Sequence, residues 1–225
     1  MKQGLVSFAP KEGQVLGLPS IQLIEAGFTN ANLKTPGNTP FQKGGTQTGR
    51  QYLQSFFDSR YVHYNTHISK PEEARKSCSR LSPYLAWGNL SVREVWQEAK
   101  ALRANSSHKR ALDSFTSRLR WQAHFIQKFE MEDTMQEESV YKGYGSLKKR
   151  ISEAYLKAWE TGTTGFPLVD ASMRCLNETG YLNFRMRAMV VSFATHHLWQ
   201  PWQAISKHLS RCFLDFEPGI HFPQL

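Results

Sequence analysis

An all-α fold is predicted by three features of the 225-residue sequence. Apolar residues recur at helical spacing in several long windows. Start and stop signals of the Ser-Pro, Gly and Asn kind bracket those windows. No run alternates apolar and polar residues strongly enough to form a strand, and no internal repeat divides the chain.

The composition suits a globular core: 40% of residues are hydrophobic, and 12% are aromatic. Most of those rings should fill core, and the rest can wall a pocket. The formal net charge of +9 and a sequence pI of about 9.5 suit a polyanionic or phosphate-bearing partner. Cys78, Cys175 and Cys212 are far apart and form no CxxC pair. That spacing points to a reducing, cytoplasmic setting and against a zinc or iron–sulfur centre. No apolar run approaches the ~18 residues of a membrane span, and the first residues lack the apolar segment of a secretory signal.

Taken in order, residues 1–42 are rich in Gly, Pro, Thr and Asn and read as a linker or wrapping arm, with one short helical turn at 21–26. A helical domain over 43–225 follows. Thr46 or Thr48 opens a helix carrying Leu53, Phe56 and Phe57, and 64–76 reads as an exposed loop broken by Pro71. Ser82-Pro83 starts a short helix that Gly88 stops. Ser91 with Glu94 fits a capping box, and Val92, Val95, Trp96, Ala99 and Leu102 follow at helical spacing. A longer helix over about 107–129 has two apolar stripes, Leu112/Phe115/Leu119 and Trp121/Phe125/Phe129. It should be packed on two sides or face a cavity on one. Residues 130–145 form an acidic loop, and helix resumes over about 146–159. Pro167 starts the next helix, with Leu168, Ala171, Ser172, Cys175 and Leu176 as its packed face; Gly180 stops it. Asn183 caps a helix on which Met186, Met189, Val190, Phe193 and His197 share a face. A last helix from Pro201 carries Trp202, Ile205, Leu209, Cys212 and Phe213, and the tail from Leu214 onward is irregular.

Three constellations could carry chemistry. Cys78, Ser79, Arg80, Leu81 and Ser82 precede a helix whose first N–H groups lack partners; with the Arg80 guanidinium they make an anion site, although capping alone would also explain Ser82. Arg187 lies among Met and Val residues and needs an acid, for which Asp215 and Glu217 are candidates; a structural ion pair is the alternative. Arg118, Arg120, Trp121 and His124 combine cations with a flat ring, which suits nucleic acid as well as a solvated face. His196-His197 project about 100° apart and make a poor metal site, so no metal centre is expected.

These residues together resemble the FAD-binding helical domain of the photolyase/cryptochrome family. The resemblance runs from about residue 44 to the end. Its most specific parts are SRLSPYLAWGNLS at 79–91 and AWETGTTGFPLVDASMRCLNETG at 158–180, followed in order by RMRAM, SF and W within 185–202. The resemblance implies FAD as cofactor, damaged DNA carrying a pyrimidine dimer as partner, and a light-driven, photolyase-type lyase reaction in a monomer. It implies that Tyr64, Cys78, Ser79, Arg80, Leu81, Ser82, Phe115, Gln122, Arg187, Asp215, Glu217 and His221 bind the cofactor, with His221 facing flavin N5. Arg118, Trp121 and Arg185 would meet DNA, Trp121 at the lesion, and Trp202 would belong to an electron-transfer chain.

The sequence also departs from that family. Cys78 replaces a threonine of the phosphate loop, Arg118 replaces the lesion-side glutamate, and Gln122 replaces a flavin-side arginine. Asn183-Phe184-Arg185 stands for His-Asn-Arg. The outer and inner tryptophans of the electron-transfer chain correspond to Lys149 and to about Leu225. The N-terminal α/β domain and the last helices of the family have no counterpart, so a truncated, divergent member is expected. Two rival readings follow: a non-repairing blue-light receptor of cryptochrome type, and an inactive fragment that keeps only nucleic-acid binding.

Overall fold

The computed structural model describes residues 39–225, which are helices, turns and irregular segments without a strand. The 21–26 turn and nearly all of the 1–42 arm lie outside the described residues. Residues Pro40–Leu225 pack as one unit around two apolar clusters with a cleft between them.

The first cluster is built by α1 (Thr46–Asp58), α2 (Tyr64–His67), α3 (Glu73–Ser77), α4 (Ser82–Ala86), α5 (Val92–Asn105) and α6 (Lys109–Met131). Leu53, Phe56, Leu81, Tyr84, Val95 and Leu112 are its buried centre. Phe56 and Phe115 meet at 4.8 Å between ring centroids, and Tyr64 closes on both at 5.9 and 5.8 Å. Each such side chain, once buried, contributes about 1.5–3 kcal/mol. Residues 64–76 are therefore not the exposed loop the sequence suggests. Tyr64 is core, and two short helices flank Pro71 because tertiary packing overrides the local breaker. The Ser91–Glu94 capping box is not formed either. Ser91 does precede α5, but Glu94 pairs instead with Arg50 at 2.6 Å.

The second cluster gathers α7 (Glu153–Thr161), α8 (Pro167–Thr179), α9 (Phe184–Ser192) and α10 (Trp202–Cys212). Its centre is Trp159, Met173, Leu176, Val190, Ile205 and Leu209, with Trp159 Nε1 donating to the Val190 carbonyl at 3.0 Å. Residues 146–152 do not continue a helix as expected: Ser152 caps α7 from outside, its hydroxyl accepting the Tyr155 N–H. The packed face of α8 is also rotated from the sequence reading. Val169, Ser172, Met173 and Leu176 are buried, whereas Leu168 and Ala171 face solvent. The reason is Asp170, which turns inward to accept from Thr164 N, Thr164 Oγ1 and Gly165 N at 2.8, 2.6 and 2.9 Å. Burial opposes its charge, but those three donors hold the carboxyl below the usual range. Asn183 caps α9 as expected, and the chain beyond it widens into a π-turn at Phe193–His197.

The tail is ordered, contrary to the irregular segment expected. Glu217 caps α11 (Pro218–His221) by accepting from Gly219 N and Ile220 N at 3.2 and 3.0 Å. This short helix lies against α6 so closely that a Cβ on Gly219 would stand 2.8 Å from Ile126 Cα. The second stripe of α6 is thereby covered around Phe125 and Phe129, and Phe129 stacks on Phe222 at 6.0 Å. No helix among the described residues is long and apolar enough to cross a membrane.

Candidate functional site

The cleft between the clusters has a volume of about 260 Å³. Its walls include Tyr64, Cys78, Ser79, Arg80, Leu81, Ser82, Phe115, Gln122, Arg187, Asp215 and Glu217, brought together from five separate stretches of chain. Arg118 lines it too, although the resemblance assigns that position to DNA. The sequence reading missed Leu85, Tyr181, Leu182 and Ile220, which supply apolar wall.

The 78–82 loop is held from behind by Arg60, which the sequence reading also missed. Its guanidinium donates to the Cys78 and Ser79 carbonyls and, at 2.8 Å, to Tyr52 O. With those carbonyls turned toward Arg60, the loop carries Arg80 forward in the left-handed region at φ 60°. That conformation costs an L-residue about 1–2 kcal/mol. The Arg80 guanidinium stacks on Tyr181 at 4.0 Å, and its buried Nε has no hydrogen-bond partner among the described residues. Ser82 is the first residue of α4 and not its cap, a position that Leu81 holds, so capping does not account for it. Burial pushes the Cys78 thiol up to about 11, against the pull of Arg60 and Arg80, so the thiol stays protonated at neutral pH. Burial likewise raises the Tyr181 phenol to about 12.

Across the cleft, Arg187 Nη2 donates to both Asp215 oxygens at 2.7 Å. Its Nε is anchored on Leu182 O at 3.0 Å, and its guanidinium lies 4.0 Å from the Phe213 centroid. Gly180 makes this meeting possible. At φ 66° it ends α8, and its carbonyl accepts the Leu214 N–H at 3.0 Å, docking the segment that presents Asp215. Trp87 Nε1 fixes the same segment by donating to Leu214 O at 2.7 Å. Glu217 lines the cleft while its carboxylate is engaged as the α11 cap.

One expected cofactor contact changes. His221 is not on the cleft wall but in an adjoining chamber of about 180 Å³ behind Arg187 and Asp215. There Ser206 Oγ lies 3.2 Å from His221 Nε2, and burial depresses the imidazole to about 4. Trp202 lies apart from the cleft, beside a hollow that Lys149 also lines, with Nε1 donating to Ser139 Oγ at 3.3 Å. Lys149 is tied down by the Thr195 carbonyl at 2.6 Å and sits 4.4 Å from the Trp199 centroid; burial lowers its pKa.

At the mouth stands Phe184, 46% exposed. The Arg118 and Arg185 guanidinium carbons lie 5.6 and 5.9 Å from its centroid. Arg185 points away from the cleft interior, with Nε donating to Ser69 Oγ at 3.2 Å. Trp121, 52% exposed, is one turn beyond Arg118 on the same face of α6.

The family pattern described as the FAD binding domain of DNA photolyase matches residues 115–225. The deoxyribodipyrimidine photo-lyase of Halobacterium salinarum is 31% identical over 191 residues, covering 83% of this chain and 38% of that protein. Among solved structures, a Synechocystis cryptochrome superposes with a TM-score of 0.76 at 26% identity, over 84% of this chain and 41% of its own. An archaeal photolyase from Sulfolobus tokodaii, described with two FAD molecules, gives 0.68 at 28% identity, over 83% of this chain and 40% of its own. The chain thus spans about two fifths of the length of these relatives. It belongs to the photolyase/cryptochrome family, and its helices are those of the family's FAD-binding domain.

Proposed function

We propose that the cleft holds FAD and that the protein uses it for light-driven electron transfer to DNA containing a pyrimidine dimer. The observation that carries this reading is the orphaned Arg80 Nε beside the 78–82 loop, on the same cleft as the buried Arg187–Asp215 pair. A bound pyrophosphate would satisfy that donor and offset the strain at Arg80. The other wall suits a flat heteroaromatic ring: Phe115, Leu119 and Ile220 are apolar, and Asp215 offers acceptors to a ring N–H. The cleft alone is slightly smaller than a typical cofactor pocket, and the chamber behind Arg187 extends it. When bound, FAD would supply the light absorption and the electron, which no side chain here can.

The chain's own residues would bind and orient. Arg80, Ser79 and Ser82 hold the anion, Arg187 holds Asp215 in place through its two hydrogen bonds, and Phe115 with Leu119 excludes water. Arg118, Trp121 and Arg185 face DNA, and Trp202 serves electron transfer. One feature favours a second reading, a blue-light receptor that does not repair. Arg118 carries a positive charge where the resemblance leads one to expect a lesion-side glutamate.

Purified protein should show flavin absorption, and the reduced, FAD-replete form should restore a dimer-containing oligonucleotide under blue light. Flavin uptake without restoration would leave the receptor reading, and no flavin uptake at all would overturn both.

A further inference from the structure

A cluster of unlike donor atoms lies where the last turn of α10 meets α8, and none of its members lines the cleft or the chamber behind it. His208 and Cys212 stand one turn apart on α10, and both face Asn177 of α8. His208 Nε2 is 3.1 Å from Asn177 Oδ1, Cys212 Sγ is 3.6 Å from the same oxygen, and the imidazole nitrogen and the sulfur are 3.6 Å apart. The amide is held with its oxygen forward, because Asn177 Nδ2 donates to the Glu160 carbonyl at 2.7 Å. Trp159 backs the imidazole at 5.8 Å between centroids. No three His, Cys, Asp or Glu side chains gather among the described residues, so this cluster qualifies only through its amide oxygen. The spacing of the three cysteines hides it, since Cys212 alone takes part.

We infer that His208 Nε2, Cys212 Sγ and Asn177 Oδ1 form a site for a zinc-class divalent cation that clips α10 to α8. The inference does not depend on the cofactor or the partner proposed for the cleft. The sides of the triangle carry it. Tetrahedral zinc bonds of about 2.3 Å to sulfur, 2.0 Å to imidazole nitrogen and 2.1 Å to oxygen set those atoms ~3.4–3.6 Å apart. Both sides that include the sulfur already match, and the nitrogen–oxygen side needs to open by only ~0.3 Å. His208 and Cys212 are half-buried and Asn177 is exposed, so an ion can enter from solvent and keep water as its fourth ligand. Burial holds the imidazole below its ordinary value and the thiol above, while Glu160 adds negative charge at both and Lys157 opposes it at His208. Binding breaks the Cys212 S–H bond, releases that proton to solvent and joins the thiolate sulfur to the metal, with no change of oxidation state. The clip lies just ahead of the segment that presents Asp215, and so braces that wall of the cleft from outside.

The test titrates the chelator-treated full chain with cobalt(II) as a spectroscopic probe and with zinc. Cobalt should produce thiolate-to-metal charge-transfer absorption that saturates at one equivalent and is displaced by zinc. Cys212→Ser should abolish that absorption, and His208→Gln should weaken zinc binding at least ~10-fold, whereas Cys175→Ala should leave both unchanged; an unaltered far-UV spectrum is the folding control. Zinc at a hundred times its dissociation constant should raise the melting temperature by about 5–10 °C. A measurement on the unmutated chain keeps the inference falsifiable if a variant misfolds: zinc should slow alkylation of Cys212 and not of Cys175, read by peptide mass. Absence of charge transfer with cobalt, its survival in Cys212→Ser, undiminished zinc affinity in His208→Gln, or equal alkylation of Cys212 with and without zinc overturns the inference.

Discussion

Asp215→Asn tests the central contact of the cleft. The Asp215 side chain is 6% exposed and that of Arg187 is 20%. The carboxylate takes two bonds from one guanidinium nitrogen, and the only other side-chain hydrogen bond of Arg187 among the described residues is from Nε to Leu182 O. Removing the negative charge leaves a mostly buried cation facing one neutral acceptor. Breaking a buried pair from one side costs about 3–5 kcal/mol. The asparagine oxygen retains one bond and Arg187 keeps some solvent contact, so the lower end, ~3 kcal/mol, is expected. That is a large share of the roughly 5–15 kcal/mol typical of a domain. Urea unfolding should show an earlier midpoint at unchanged slope. The double variant Arg187→Met/Asp215→Leu carries neither charge and should recover to within about 1 kcal/mol of the parent, while still failing to orient a ligand in the cleft. A loss below ~1 kcal/mol in Asp215→Asn, or a double variant as unstable as both single changes added together, would refute the pairing as an energetic unit.

Three further outcomes follow from local geometry. Gly219→Ala places a Cβ 2.8 Å from Ile126 Cα and 3.0 Å from Phe125 O, both backbone atoms that cannot rotate aside. Thermal unfolding should drop by about 4–8 °C, for a cost of roughly 2 kcal/mol, and an unchanged melting point would contradict the packing of α11 on α6. Arg80→Gly should be more stable than Arg80→Ala by about 1–2 kcal/mol, because both lose the guanidinium but only alanine must hold φ 60°; equal stabilities would show that the loop relaxes. His221, depressed to about 4 by burial, is neutral in the folded protein where the unfolded chain would protonate near 6.5, with Arg187 and Asp215 acting on it in opposite directions. Its contribution is therefore complete above pH ~6.5 and is lost as pH falls toward 4, by about 3 kcal/mol in all. His221→Gln should flatten that part of the stability–pH curve, and an identical curve would place the titration elsewhere.

The long elements were legible because their signals are local. Pro167 opens α8, Gly180 closes it and Asn183 caps α9, each through its own backbone chemistry. Of the short helices only α4 was legible, through its Ser82-Pro83 start signal. A helix of four or five residues cannot display a 3.6-residue period, so α2, α3 and α11 were read as loop. Tyr64 is helical because Phe56 and Phe115 enclose it, and Pro218 starts α11 because Glu217 turns back to cap it. The rotation of α8 was hidden for a related reason. Asp170 counts as polar in any pattern, yet three donors from the preceding turn make it one of the buried residues.

The cleft divides along the same line between local and assembled signals. The two arginines of α9 were readable as pointing apart, since residues two positions apart cannot share a helix face. What each would meet was not readable from periodicity. Arg187 reaches Asp215 because Gly180, recognisable only as a helix stop, also leaves room for the returning segment: a Cβ there would lie 2.5 Å from Leu214 Cγ. One glycine thus ends a helix and docks the carboxylate that neutralises an arginine eight residues after its own helix ends. Arg60 shows the converse case. Nothing in Asp58-Ser59-Arg60 announces a role, and its importance arises only because the 78–82 loop turns its carbonyls toward it. With those acceptors occupied from behind, Arg80 is left on the cleft wall with its Nε unpartnered among the described residues, and a short polar stretch becomes a place where an anion can be held.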